Sequence, residues 1–419
     1  MNRTRRKSTS PLKILLIILL LVGFSVGAFI FFNQEQASEE TSGKANQSEE
    51  NTSNGETDQN EDDEVAQNPY QTLTLAAVGD IMAHDDQLLS ALDEAQGLYN
   101  FDPVFEEVQS HLSDADVTVG NFETTTAGTD QYPFAGYPLF NSPDELVDSL
   151  KTAGFDVLTT INNHTLDTGL NGMLRTLDVI QDRGISTVGT YKEEPDTRVL
   201  MKEVNGIKLA FIAYTESLNG LENRLSPTEL ETLVNKVDKE KMSEDIAYAK
   251  EQEADFIIAM MHWGPEYQRE ASSSQRELAQ WLADQGTNII LGSHPHVIQE
   301  SEWIKGAGQE HDTFVMYSMG NFISNQRKET LDNEHTEDGI IVELELQKDT
   351  KSGESTINAI NYTPTWVYRY SDSGVAPFEY RILPAETYRE NPLITDEFLP
   401  RLERSYYDTM KQLDQRVTH

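Results

Sequence analysis

NIILGSHPH, residues 288–296, is an apolar run that ends abruptly in two histidines flanking a proline. Four more stretches have the same build: TLTLAAVGD (72–80), DVTVGNFE (116–123), FDVLTTINNH (155–164) and DFIIAMMH (255–262). Each is a short block of Val, Ile, Leu, Ala or Met that stops at acids, amides or imidazoles, as a strand buried on both faces does. Helical spacing fills the intervals, over residues 101–112, 142–153, 171–183, 243–253 and 274–285. Gly184 and Gly286 stand where the third and fifth of these end. Strands are also expected at 208–214 and 313–317, and alternating late strands at 340–346 and 356–362. The expected class is α/β, with mixed sheets flanked by helices. In such sheets ligands gather beyond the carboxyl ends of the strands, where all five polar endings would lie.

Taken singly these endings say little, because Gly-Asp after a strand is ordinarily a turn and a strand-end histidine is ordinarily packing. Pro295 stiffens the loop that carries His294 and His296, so a single loop can present two ring nitrogens. Five strands delivering carboxylates, amides and imidazoles to one edge point to a metal centre for Mn, Fe or Zn. An acid shared by two ions would permit two-metal hydrolysis.

The rest of the chain narrows the chemistry. Its 419 residues hold 32 Lys and Arg against 71 Asp and Glu, a net charge of −39. That field opposes nucleic-acid binding. There is no cysteine, which excludes disulfides, thiol nucleophiles and Cys-ligated metals. Residues 1–11 are basic, with Arg3, Arg5, Arg6 and Lys7. Residues 12–32 are apolar except for Lys13 and Ser25, and 21 residues suffice to cross a hydrocarbon core of about 30 Å. We expect an uncleaved transmembrane anchor with a cytoplasmic N-terminus and everything beyond it outside the cell. Residues 33–70 read as an acidic, unfolded tether. Residues 71–370 read as the folded domain and 371–419 as an extension, with a helix over 399–413.

The segments VGDIM (78–82), VGNFE (119–123), NNHTLDTG (162–169), HWGPEY (262–267), GSHPH (292–296) and YSMGNF (317–322) together resemble the CapA family of capsule and poly-γ-glutamate biosynthesis proteins, relatives of the calcineurin-like metallophosphatases. The resemblance covers about 250 residues and implies a metallophosphatase-like layered sandwich with two divalent ions. By position, it implies Asp80 and His296 on one ion, Asn163, His262 and His294 on the other, and Glu123 bridging where phosphatases usually carry Asp. His164 falls at the place of the proton donor, with Asp167 three residues on to orient it. His84 departs from the Asp-x-His spacing of the phosphatases, so as a ligand it is doubtful. Asn321 and Glu266 are expected to line the pocket. The implied partner is an envelope polymer or its membrane synthase. The rival readings are a non-catalytic subunit of that synthase and an acidic module binding cationic wall components.

Overall fold

The computed structural model describes residues 69–392 and 394–414. The expected anchor at 12–32, the basic tail and all but the last residues of the tether lie outside the described residues. No described helix is long and apolar enough to cross a membrane.

The chain builds half of one sheet, then a second sheet, then returns to finish the first. Strands β1 (Tyr70–Ile81), β2 (Val117–Phe122), β3 (Val157–Thr159) and β4 (Ser186–Val188) lie parallel and side by side. The second sheet contains β5 (Leu200–Val204), β6 (Ile207–Thr215), β7 (Phe256–His262), β8 (Ile289–Ser293), β9 (Ser301–Ile304) and β10 (Thr313–Met316). Their order is β9-β10-β8-β7-β6-β5, with β5 and β9 as the antiparallel edges. The chain then returns through β11 (Asn321–Ile323), β12 (Asp338–Asp349), β13 (Ser355–Tyr370) and β14 (Glu379–Pro384). The first sheet thus runs β14-β13-β12-β1-β2-β3-β4, with β11 paired to β1 just past β12.

The layers follow from strand alternation. Leu73, Leu75 and Ala77 of β1 and Val117 and Val119 of β2 face Phe211 of β6, Ile258 and Met260 of β7 and Leu291 of β8 in one core between the sheets. The intervening residues face outward. Beyond the first helix, α1 (Asp85–Ala91), Ala76 and Val78 pack under helices α2 (Glu145–Ala153) and α3 (Gly169–Asp182), through Leu146, Leu150 and Ile180. On the far side Ile257 and Ala259 pack under α4 (Lys239–Glu251) and α5 (Ser273–Gln285), through Ile246 and Leu282. The result is the expected mixed-sheet sandwich flanked by helices.

Helix ends match their local chemistry. Ser272 caps α5 by accepting from the Gln275 N–H, and Gly286 closes it at φ 89°. The helix expected over 101–112 is instead two short ones, Asp102–Phe105 and Gln109–Ser113. The region after 371 holds β14, which had not been expected, and a helix, Leu399–Asp414 (α6), whose Leu402 packs on Trp366 and Tyr368.

One irregularity in β1 decides where a key side chain points. Val78 pairs with Gly120, but Asp80 pairs with Asn121, so Gly79 is an extra residue. Ala77 faces inward, Val78 outward and Ile81 outward. Without the extra residue Asp80 would fall on the outer face; the bulge turns it inward. A Cβ on Gly79 would stand 2.0 Å from the Gly320 carbonyl oxygen, whose partner is the Asp80 N–H at 3.0 Å. Gly79→Ala is expected to lower stability by about 1–3 kcal/mol in urea titration, the usual cost of overpacking. An unchanged midpoint would show that the bulge tolerates a side chain.

Candidate metal centre

The inward alternation of the strands continues past their apolar residues into the polar ones. After Val117 and Val119 come Asn121 and Glu123; after Ile258 and Met260 comes His262; after Leu291 comes Ser293. Both sheets therefore deliver polar groups to one buried volume at the carboxyl ends of their parallel strands. Asp80 and Glu123 have 0% exposure.

Asp80 accepts from Asn121 Nδ2 at 2.8 Å, and His296 Nδ1 lies 3.0 Å from its other oxygen. The GSHPH loop places His294 and His296 at φ 95° and 58°, a left-handed conformation costly for side-chain-bearing residues. The His294 N–H donates to Asp80 at 3.2 Å, so the same carboxylate that meets His296 also holds the loop. His262 Nε2 lies 2.9 Å from Asn163 Oδ1 and 3.6 Å from Glu123 Oε1; His296 Nε2 is 3.8 Å from that same Glu123 oxygen.

Two groupings in metal-ligand reach overlap at one residue. Asp80, Glu123 and His296 form one, and Glu123, His262 and His294 form the other, each with its ligand atoms within 4.8 Å of one another. Asn163 stands beside the second. This is the division implied by the resemblance, with Glu123 common to both. Two buried atoms in it have no hydrogen-bond partner, Glu123 Oε1 and His294 Nδ1. Burial, then the neighbouring Asp80 charge, pushes the Glu123 carboxyl well above its ordinary range. Burial also raises Asp80, but the His296 hydrogen bond and charge and the Asn121 amide outweigh it, and Asp80 is held low. Burial and the neighbouring histidines keep His262 neutral and lower His294 to about 4. Paired acids, neutral imidazoles and unpartnered ligand atoms form a donor set that fits divalent cations.

His164 and Asp167 lie at the edge of this cluster. The Asp167 Oδ2 atom is 2.7 Å from His164 Nδ1 and also accepts from the Phe140 N–H at 2.7 Å. His164 lines a cavity of about 360 Å³ together with His296, Glu266, Tyr267 and Tyr137. Glu266 does line the pocket, and it also falls within 4.8 Å reach of His294 and His296 as a third grouping. Asn321 instead holds His296: its Oδ1 is 3.1 Å from Nδ1 of that ring and its Nδ2 donates to the His296 carbonyl. His84 belongs to none of the three groupings. Reading the sequence missed Asn121, whose amide meets Asp80, Glu123 and His262 at 2.8–3.3 Å. Its place two residues before Glu123, on the same strand face, was the available signal.

The family described as "Bacterial capsule synthesis protein PGA_cap" matches residues 74–326. The chain belongs to this family. It is similar to the PGA biosynthesis protein CapA of Bacillus subtilis (strain 168), at 30% identity over 280 residues, 66% of this chain and 68% of that one. It is also 30% identical to the capsule biosynthesis protein CapA of Bacillus anthracis, over 61% of this chain and 60% of that protein's length. Among solved structures it aligns loosely with the calcineurin-like phosphoesterase YfkN from Bacillus subtilis. That alignment has 17% identity and a TM-score of 0.41, covering 82% of this chain and 99% of the other.

Because Glu123 is common to both groupings, Glu123→Gln is expected to cut bound Mn, Fe or Zn from about two equivalents to one or fewer by elemental analysis, with the fold retained by circular dichroism. Full occupancy in the variant would remove Glu123 from the bridging place.

Proposed function

We propose that this family member is a metal-dependent hydrolase working in capsule, poly-γ-glutamate or other envelope-polymer biosynthesis. It is held at the cell membrane by residues 12–32, with its folded part outside. The apolar length of 12–32 and the basic residues before it support the anchor and its orientation. The names of the relatives support the polymer. Its partners would be that polymer or the membrane synthase that makes it, and no nucleic acid.

The observation that carries the hydrolase reading is His164, bound to the buried Asp167 and lining the cavity beside the acid–imidazole cluster. A site that held ions only for structure would need the ligands but not an oriented proton carrier beside them. Asp80, Glu123 and His296 would hold one divalent ion, and Glu123, Asn163, His262 and His294 a second. Such ions supply Lewis acidity, polarising the scissile group and easing the deprotonation of water. The protein's own part is positional. Asp167 accepts from His164 Nδ1–H, which turns Nε2 toward the cavity to hand a proton to the departing atom. Its second contact, with the Phe140 N–H, keeps the carboxylate from following the ring.

The test loads the full chain with Mn, Fe or Zn and screens phosphomonoester, phosphodiester and γ-glutamyl substrates. His164→Ala is expected to keep its metal and lose about 10²–10⁴ of turnover, the usual worth of a general acid. Asp80→Asn should lose both metal and turnover. If polymer export depends on Asp80 while His164→Ala changes nothing, the protein is instead a non-catalytic subunit of the synthase.

A further inference from the structure

Among the described residues, His84 is the one imidazole of the cavity that neither the ion groupings nor the proton carrier uses. It stands between the end of β1 and the first residue of the helix Asp85–Ala91. Its Nδ1 accepts from the backbone N–H of Asn325 at 3.2 Å. A backbone amide can only donate, so Nδ1 must carry the lone pair and the ring hydrogen must be on Nε2. Asn325 cannot easily turn away. Its side chain accepts from Tyr380 Oη at 2.8 Å and Arg369 at 3.3 Å, and donates to Asp86 at 3.2 Å. His84 is half-buried and lines the cavity. Burial, with His296 and His164 near, lowers its pKa to about 3, so it carries no charge at neutral pH.

The ring is aimed as well as neutral. It meets Phe140 edge-to-face at 5.1 Å and 87°, and His164 meets the same phenyl ring at 4.7 Å and 83°. Phe140 is buried, and its N–H is bound to Asp167. One fixed aromatic ring thus sets both imidazoles, and both line the cavity with His296. Among the described residues, no Lys or Arg lines that cavity. An anionic group entering it would meet the Glu266 carboxylate on one wall, so its attraction would have to come from neutral donors and from ions held by the neighbouring ligand groupings.

We propose that His84 is a fixed Nε2–H donor that binds an oxygen of a tetrahedral oxyanion group, such as a phosphoester, at the metal centre. The role rests on the hydrolase reading and adds a substrate-binding residue to it. A neutral donor preset in this way stabilises charge building on the oxygen without reorganising during the reaction. It also accounts for the changed spacing after Asp80: this histidine contacts the substrate and not the ion.

The test uses the full chain loaded with zinc and inorganic phosphate as the probe, read by calorimetry. His84→Phe is expected to bind phosphate at least tenfold more weakly with zinc content unchanged and the fold retained by circular dichroism, and His84→Gln, which restores an N–H, to regain part of the loss. Long-range proton–nitrogen spectra of the wild type, which need no variant to fold, should show His84 as the neutral Nε2–H tautomer from pH 5 to 8. Phosphate binding within twofold of wild type in His84→Phe, loss of zinc in that variant, or an Nδ1–H tautomer would each overturn the proposal while leaving the hydrolase reading standing. Failure of the zinc-loaded wild type to bind phosphate would overturn this proposal and the phosphoester form of that reading together.

Discussion

Two carboxylates with no access to solvent, Asp80 and Glu123, share one pocket between the ends of two sheets. Buried like charges are unfavourable by several kcal/mol unless donors or cations meet them. The chain supplies part of the answer through Asn121, His296 and the His294 N–H. It leaves Glu123 Oε1 unmet. The surrounding architecture keeps the two acids together in spite of their repulsion. Both sheets must be in place, because Asp80 and Glu123 come from the first while His262, His294 and His296 come from the second.

Much of this was legible in the sequence because one physical regularity, the period of two in a strand, runs from the core into the site. Five apolar runs that stop at polar residues announced both the parallel strands and the edge where they meet. His164 with Asp167 three residues on was also readable, and the structure places them 2.7 Å apart. What escaped has identifiable causes. Asn121 is overshadowed by the acid two residues later, although it touches more of the site than any other amide there. The side toward which Asp80 points depends on the extra residue at Gly79, and a bulge exists only relative to a partner strand. Strands as short as Asn321–Ile323 carry too little pattern to be seen alone. The helix read over 101–112 breaks in the middle, where its apolar residues Phe105 and Val108 are both buried although the helix is not continuous.

The pocket also depends on chain beyond the stretch that matches the family. That match ends at residue 326, while Thr330 and Leu331 still line the cavity. The segment carrying them is fastened from the C-terminal side: Arg401 of α6 pairs with Glu329 and Glu337, and Arg404 pairs with Asp338. Arg327, almost wholly buried, donates to the Val367 carbonyl at 2.8 Å and sits 3.4 Å from Glu337. The three candidate ligand groupings thus lie within the stretch that matches the family, whereas one wall of the cavity is held by the last helix described.

The whole site turns on Glu123 being shared by two cation positions. Anomalous diffraction from crystals of the protein soaked in manganese tests it most directly. Two peaks are expected about 3.5–4 Å apart, one against Asp80 and His296, the other against Asn163, His262 and His294, with Glu123 between them. A single peak on Glu266, His294 and His296 that leaves Glu123 untouched would contradict it.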